Sequence, residues 1–348
     1  MRRFDYSFLR TGSIPANFAN LLSGIYSLKT VDESRKSRFG AVYSELEKVA
    51  KVQSVKGSNA IEGILTTDER IRAIVNRSSA PLNHDEIEIA GYRDALNVIH
   101  QNYFSLPVNE KTILDLHHLM LKNAKPEAAG CYKKEDNVIM EVRSDGTRAV
   151  RFRPISALET PLAMEQLFLA YTEANSDSEI NSLLLIPCVV LDFLCIHPFA
   201  DGNGRLSRLL SLLLLYKAGF DAGKYISFEE EINKDKWSYY EALRKSSLNW
   251  SESKNDYFYF AENFLLTLLS CYLELDKRFA VINSNKINKT SRIEATVLNS
   301  LVPMSKKEIS EILPDVSVTT IEMVLSKMVK EGKLIKTGTA RNTRYLRK

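Results

Sequence analysis

Cysteine is scarce in this chain: four residues in 348 (Cys131, Cys188, Cys195, Cys271), none of them in CxxC spacing. Neither a disulfide framework nor a cysteine zinc site is expected, and reduced, packed thiols are the reading that follows. With only 14 Gly and 10 Pro, the chain is not collagenous, contains no long flexible linker and shows no internal repeat. No apolar run reaches the roughly 20 residues of a membrane span. The strongest, Leu183 to Ile196, is interrupted by Pro187 and Asp192 and reads as a buried helix. Arg2 and Arg3 are followed by Asp5 and Arg10, not by an apolar stretch, so no export signal is read and a cytoplasmic protein without a membrane partner is expected. An excess of one charge is lacking too: 47 Lys plus Arg face 43 Asp plus Glu, and a net charge of +4 favours neither a nucleic-acid nor an acidic partner.

What is present is helical periodicity over most of the first 280 residues. Ser37 to Lys56 carries Val42, Leu46 and Val49 at three-to-four spacing, and Asp85 to Asn102 repeats the pattern through Ile89, Tyr92, Leu96 and Ile99. Thr66, Thr67 and Asp68 supply an N-cap cluster for a helix through Ile71 and Ile74, and Val108 to Asn123 forms another. One stretch differs. Val138 to Val142 and Thr147 to Arg153 alternate around Asp145-Gly146, the pattern of a hairpin, either a plain surface element or a flap that pairs with a partner's extended chain. From Ile287 onward the balance is basic, with 12 Lys plus Arg against 6 Asp plus Glu, a net +6 that leaves −2 for residues 1–286. Helices near Arg292 to Leu301, Ser305 to Leu313 and Val318 to Glu331, then a hairpin around Gly338, give the order of a winged helix-turn-helix. Such a unit binds DNA, binds protein or forms dimers.

Residues 197–208 read His-Pro-Phe-Ala-Asp-Gly-Asn-Gly-Arg-Leu-Ser-Arg between two apolar helices. Pro198 disfavours the α region for His197, so the preceding helix ends there and the imidazole emerges on a loop. The next helix opens at a turn containing Gly202, Asn203 and Gly204, whose N–H groups and positive dipole end suit an anion. Arg205 and Arg208 share one side of its first turns. Two cations at the positive end of an apolar helix need an anion of high charge density, and a triphosphate meets that need. Asp201 is the nearby carboxylate able to hold Mg²⁺, and His197 is the titratable group suited to taking a proton from a hydroxyl. Taken singly, Asp201 reads equally as an N-cap and the arginines as surface ion pairs. Nine specified positions in twelve residues argue for one joint site.

The string HPFADGNGRLSR resembles the signature of the Fic family, whose members transfer AMP from ATP to hydroxyl side chains of proteins. The resemblance implies a mainly α fold: a helical bundle with a β-hairpin flap, followed by the small winged helix-turn-helix. It implies residues 1–95 as an N-terminal helical module, 96–285 as the catalytic core and 287–348 as the winged unit. It further implies His197 as general base, Asp201 as Mg²⁺ ligand, Gly202, Asn203 and Gly204 holding phosphates, and Arg205 and Arg208 clamping the outer ones. Leu116-His117-His118 and the hairpin are similar to the family's core helix and flap. Many relatives have Gly-x-Tyr-Arg before the flap, where this chain has Gly130-Cys131-Tyr132-Lys133. Tyr239, Tyr240 and Leu243 resemble the border of the nucleotide, and equally suit core packing. Ser58-Asn-Ala-Ile-Glu62-Gly63 resembles the family's inhibitory-helix pattern, in which Glu62 would pair with Arg208 in the place of the γ-phosphate. The implied protein is an autoinhibited adenylyltransferase using Mg²⁺ and ATP on a Ser, Thr or Tyr of a target, with self-modification, removal of AMP and a homodimer as further implications. A different reading makes it a DNA-binding regulator through residues 287–348 with the core as a nucleotide sensor.

Overall fold

The computed structural model describes residues 2–142, 147–283, 289–298, 300, 303–313, 316–338 and 343–348. Its first elements are α1 (Phe8–Thr11), α2 (Asn17–Lys36), α3 (Gly40–Ile61), α4 (Asp68–Val75), α5 (His84–Asn102) and α6 (Glu110–Leu121), followed by a hairpin of β1 (Ile139–Val142) and β2 (Arg148–Phe152). Then come α7 (Thr160–Ser176), α8 (Ser182–Ile196), α9 (Asn203–Lys217), α10 (Phe228–Lys234), α11 (Lys236–Ser246) and the long α12 (Phe258–Asn283). The chain closes with α13 (Lys289–Leu298), α14 (Lys306–Ile312), α15 (Val318–Lys330), β3 (Leu334–Thr337) and β4 (Arg344–Arg347). The fold is mainly α, as the periodicity predicts.

Helix starts follow local chemistry. Thr67 accepts the Arg70 N–H at 3.3 Å to open α4, with Asp68 and Glu69 favouring the positive end of its dipole. Asn83, Asn109 and Asn181 cap α5, α6 and α8 in the same way. α8 is apolar on every side, and each residue from Leu183 to Ile196 is buried, so it is the central helix, packed on α7, α9 and α12. The polar exception is Asp192. It accepts hydrogen bonds from Trp250 Nε1 (2.6 Å), Tyr6 OH (2.8 Å) and Tyr257 OH (2.9 Å) and faces the Arg2 guanidinium at 3.6 Å. The N-terminal segment is thereby tied to α8 one turn before the helix ends at His197.

Packing between α5 and α6 is close enough to require glycine. A Cβ on Gly91 would lie 1.9 Å from the Met120 carbonyl oxygen. Gly91→Ala is expected to lower unfolding free energy by about 2–3 kcal/mol, the cost of forcing atoms into a filled core, seen as a lower urea midpoint at unchanged m-value. An unchanged midpoint would contradict this packing.

The hairpin is antiparallel, with Met140 opposite Val150 and a register shift between Ile139 and Met140. Its Asp145-Gly146 turn lies outside the described residues. Phe152 of β2 packs edge-on against Trp250, with ring centroids 6.1 Å apart, so the hairpin stands on the same aromatic cluster that holds Asp192. Three sequence expectations change. The helix expected over Ser37 to Lys56 spans Gly40–Ile61, because Asn59 Nδ2 bonds back to the Val55 carbonyl (2.7 Å) and Ser58 is anchored by Arg208. The helix expected to begin near Arg292 begins at Lys289, and Leu301 lies outside the described residues. Cys188, Cys195 and Cys271 are free and buried, whereas Cys131 is free and exposed, on the loop that follows Gly130. After α12 the order of three helices and two strands is the one read from the sequence, with Met304 bridging to Tyr345 and α14 lying against α3.

Candidate active site

The end of α8 delivers His197. With Pro198 next, the chain leaves the helix through a left-handed residue: His197 has φ 52° and ψ 60°, an uncommon conformation for a side chain with a Cβ. Its N–H still closes the helix onto the Phe193 carbonyl at 3.0 Å, and its Nδ1 lies 3.3 Å from the Leu194 carbonyl. Because a carbonyl only accepts, Nδ1 carries the proton and Nε2 keeps a lone pair. Burial, outweighing the Leu194 carbonyl, pushes the His197 pKa down to about 4, so the ring is neutral at pH 7.

Gly202 then turns the chain into α9 with φ 79°, and a Cβ there would lie 2.7 Å from the Met120 methyl. No side chain caps α9, so its first-turn N–H groups remain suited to an anion. Asn203 is buried and braces the loop, its Oδ1 accepting from Phe199 N (3.0 Å) and its Nδ2 donating to Phe199 O (2.8 Å). His117 of α6 lies beneath, stacked on Phe199 at 3.7 Å. It donates from Nε2 to the Asp201 carbonyl (3.0 Å) and accepts at Nδ1 from Gly130 N (3.0 Å). Burial also holds its pKa down to about 4. An NMR titration is therefore expected to protonate His117 and His197 near 4, against about 6.5 for an open imidazole. Since the folded pKa lies below the unfolded one, the unfolded chain binds more protons between these values, and both rings erode stability as pH falls through that window. A titration midpoint near 6.5 would refute the burial of these rings.

Four charged groups surround the turn: Arg208, Glu62, Arg205 and Asp201. Arg208 donates from Nη2 to Glu62 Oε1 (2.8 Å) and to Ser58 O (2.9 Å), and from Nε to Ser58 Oγ (2.9 Å). Glu62 is the C-cap of α3, and Gly63 follows at φ 81°, so the Ser58–Gly63 motif forms the helix end that faces α9. Glu62 also crosses the glycine turn: a Cβ on Gly204 would be 2.3 Å from Glu62 Oε1. Arg205, expected beside Arg208, is turned away into an ion pair with Glu88 of α5, with Asp201 Oδ2 at 3.6 Å. Asp201 is 40% exposed, accepts from Gly202 N (2.6 Å) and pairs with Lys125. Burial raises its pKa, but Lys125 and Arg205 outweigh that, leaving it below the usual carboxylate value.

A cavity of about 430 Å³ unites part of this set. Its walls include Glu62, His197, Gly204 and Arg208, with Tyr240 and Met140 of the hairpin closing it. Tyr239 and Leu243 also line it, and the Tyr240 carbonyl accepts from Arg151 of β2 at 3.1 Å. Asp201, Gly202, Asn203 and Arg205 do not line the cavity. Glu88 and Lys125 escape a sequence reading because neither belongs to a local motif; Lys133 and Arg151 do stand in the Gly130–Lys133 stretch and the hairpin, but those patterns carry no trace of their contacts with the site. Among the described residues, no three His, Cys, Asp or Glu side chains group as a metal cluster, and no helix is long and apolar enough to cross a membrane.

Residues 107–215 match the model of the Fic/DOC family. The chain is 28% identical over 235 residues to "Protein adenylyltransferase Fic" of Nematostella vectensis, covering 63% of this chain and 50% of that protein. It is 29% identical over 138 residues to "Protein adenylyltransferase fic-1" of Caenorhabditis elegans, covering 38% of this chain and 25% of that one. The chain thus spans half or less of the length of these curated relatives. A crystal structure of a Fic family protein from Desulfovibrio desulfuricans G20 superposes with a TM-score of 0.62 at 19% identity, over 97% of each chain. The C. elegans Fic-1 structure (residues 134–508) superposes at 0.58 and 20% identity, over 75% of this chain and 72% of that one. At those identities the likeness is one of fold. Over residues 107–215, which run from just before α6 into α9, the chain is therefore similar to the Fic/DOC family.

Proposed function

We propose that this protein is an adenylyltransferase held in check by its own Glu62, moving AMP from ATP to a Ser, Thr or Tyr hydroxyl of a protein, itself included. The observation that carries the reading is the Arg208–Glu62 pair set across Gly204 in the cavity that His197 also lines. A carboxylate held there occupies the position suited to a terminal phosphate, because Arg208 offers the same N–H groups to either. The cavity volume falls within the roughly 300–1,000 Å³ of small-molecule sites.

In the productive state the triphosphate replaces Glu62 on Arg208 and lies along the open first turn of α9. Gly202 and Gly204 admit phosphate oxygens close to the backbone, and Tyr240 borders the nucleotide. The target hydroxyl passes its proton to His197 Nε2 while its oxygen bonds to the α-phosphorus, and the bond to the β-phosphate oxygen breaks, releasing pyrophosphate. Asp201 suits Mg²⁺: its ionised Oδ2 already gathers two cationic side chains, and one carboxylate with phosphate oxygens is a sufficient set once Lys125 turns to solvent. The ion, when bound, would offset charge on the departing pyrophosphate. Arg205, paired to Glu88, supports Asp201 and the turn from behind, and reaches a phosphate only by leaving Glu88. The hairpin, whose Ile139, Met140, Arg151 and Phe152 line the cavity, would hold the target segment over it.

Labelled ATP tests this. Protein incubated with ATP labelled at the α-phosphate is expected to retain the label, and protein incubated with ATP labelled at the γ-phosphate is not. Retention of γ-label alone would establish phosphate transfer and overturn the reading.

A further inference from the structure

We propose that Lys133 is a positioning residue for His197, holding it in the left-handed conformation that turns its Nε2 toward the cavity. The inference rests on the reading of His197 as the base. Lys133 brackets His197 from both sides. Its Nζ donates to the carbonyl of Ile196, the residue before, at 3.2 Å, and its backbone N–H donates to the carbonyl of Pro198, the residue after, at 2.9 Å. Asn137 completes the brace. It accepts from Lys133 Nζ at 2.9 Å and donates from Nδ2 to the Phe199 carbonyl at 3.2 Å, so the backbone carbonyls at 196, 198 and 199 are all tied to the segment that leads into β1.

Two features argue against a passive role. Lys133 is only 5% exposed, and its Nζ donates to an amide and a carbonyl oxygen, those of Asn137 and Ile196. A buried ammonium bonded in this way is costly, and an apolar side chain would fill the same volume at less expense, so the charge is retained for what it holds. Burial indeed pushes its pKa down to about 8. Second, a non-glycine residue persists in a left-handed conformation only where its surroundings over-determine it, and beside Pro198 and the Phe193 carbonyl it is Lys133 that bonds the backbone on both sides of His197. The brace also joins the base to the flap, since the same six-residue segment enters the hairpin at Ile139.

The test uses the full chain in the Glu62→Gly background. Lys133→Met keeps the length of the side chain and removes its donors. It is expected to lower kcat for AMP transfer roughly ten-fold or more, with KM for ATP within about two-fold, since misplacing the base affects the reacting geometry and not nucleotide binding. The His197 Cα chemical shift in histidine-labelled protein is expected to leave its left-handed value. Lys133→Arg, which restores two or more donors, is expected to recover both readouts. Asn137→Ala, a milder lesion, is expected to give the same kcat-only pattern at smaller size and serves if Lys133→Met does not fold. Unchanged kcat together with an unmoved His197 shift in the folded variant would overturn the proposal. If the Glu62→Gly parent transfers no AMP, the adenylyltransferase reading fails, and the His197 shift still decides the role of Lys133.

Discussion

Replacing Glu62 by glycine is expected to raise the rate of AMP transfer about ten- to a hundred-fold. Each charge-assisted hydrogen bond contributes about 1.5–3 kcal/mol, and about 1.4 kcal/mol corresponds to a factor of ten. Removal of the carboxylate therefore frees Arg208 for a phosphate by one to two orders of magnitude. The substitution is structurally mild. Glu62 is the C-cap of α3 at φ −88° and ψ 1°, a position glycine adopts readily, and the buried Ile61 before it is untouched. Arg208 keeps both bonds to Ser58. It is nevertheless 2% exposed and loses its carboxylate partner, so the ATP-free variant should melt somewhat lower and gain more from added ATP than the parent does. A variant no faster than the parent would remove Glu62 from the inhibitory role.

His197→Ala has the opposite and larger effect. Loss of a positioned general base costs about 10²- to 10⁴-fold, so transfer in the Glu62→Gly background is expected to fall to near background with KM for ATP little changed. Because His197 sits at φ 52°, His197→Asn provides a second form of the test, since Asn tolerates the left-handed region better than Ala. Both variants should retain cooperative unfolding, as the α8 core beneath them is unaltered. Undiminished transfer by either would mean that another group takes the proton.

Much of this site was legible before any coordinates. The Pro after His197, the two glycines around Asn203 and the apolar runs on either side place a helix end, a turn and a helix start in sequence, and the structure has them at Ile196, Gly202 and Asn203. Glu62 and Arg208 are 146 residues apart, yet the short Ser58–Gly63 motif pointed to their meeting, and they do meet; the bonds of Arg208 to Ser58 are seen only in the structure. Arg205 was not legible. Spacing of three along a helix puts two arginines on one side, but a long side chain follows the nearest charge, and for Arg205 that is Glu88, an ordinary acidic position on an amphipathic helix. Asn203 likewise turns its amide to Phe199, whereas the motif suggested a role toward phosphate. The Asp192 network was hidden for the same reason. Its partners Arg2, Tyr6, Trp250 and Tyr257 come from the two sides of the chain, and nothing local to any of them announces the contact. Tertiary electrostatics decide such pairs, and periodicity carries no trace of them.

The measurement that tests the central claim most directly compares transfer from α-labelled ATP by three proteins in parallel: the parent chain, Glu62→Gly, and Glu62→Gly combined with His197→Ala. The account predicts weak labelling, strong labelling and background, in that order. Equal labelling of the first two, or strong labelling of the third, would contradict it.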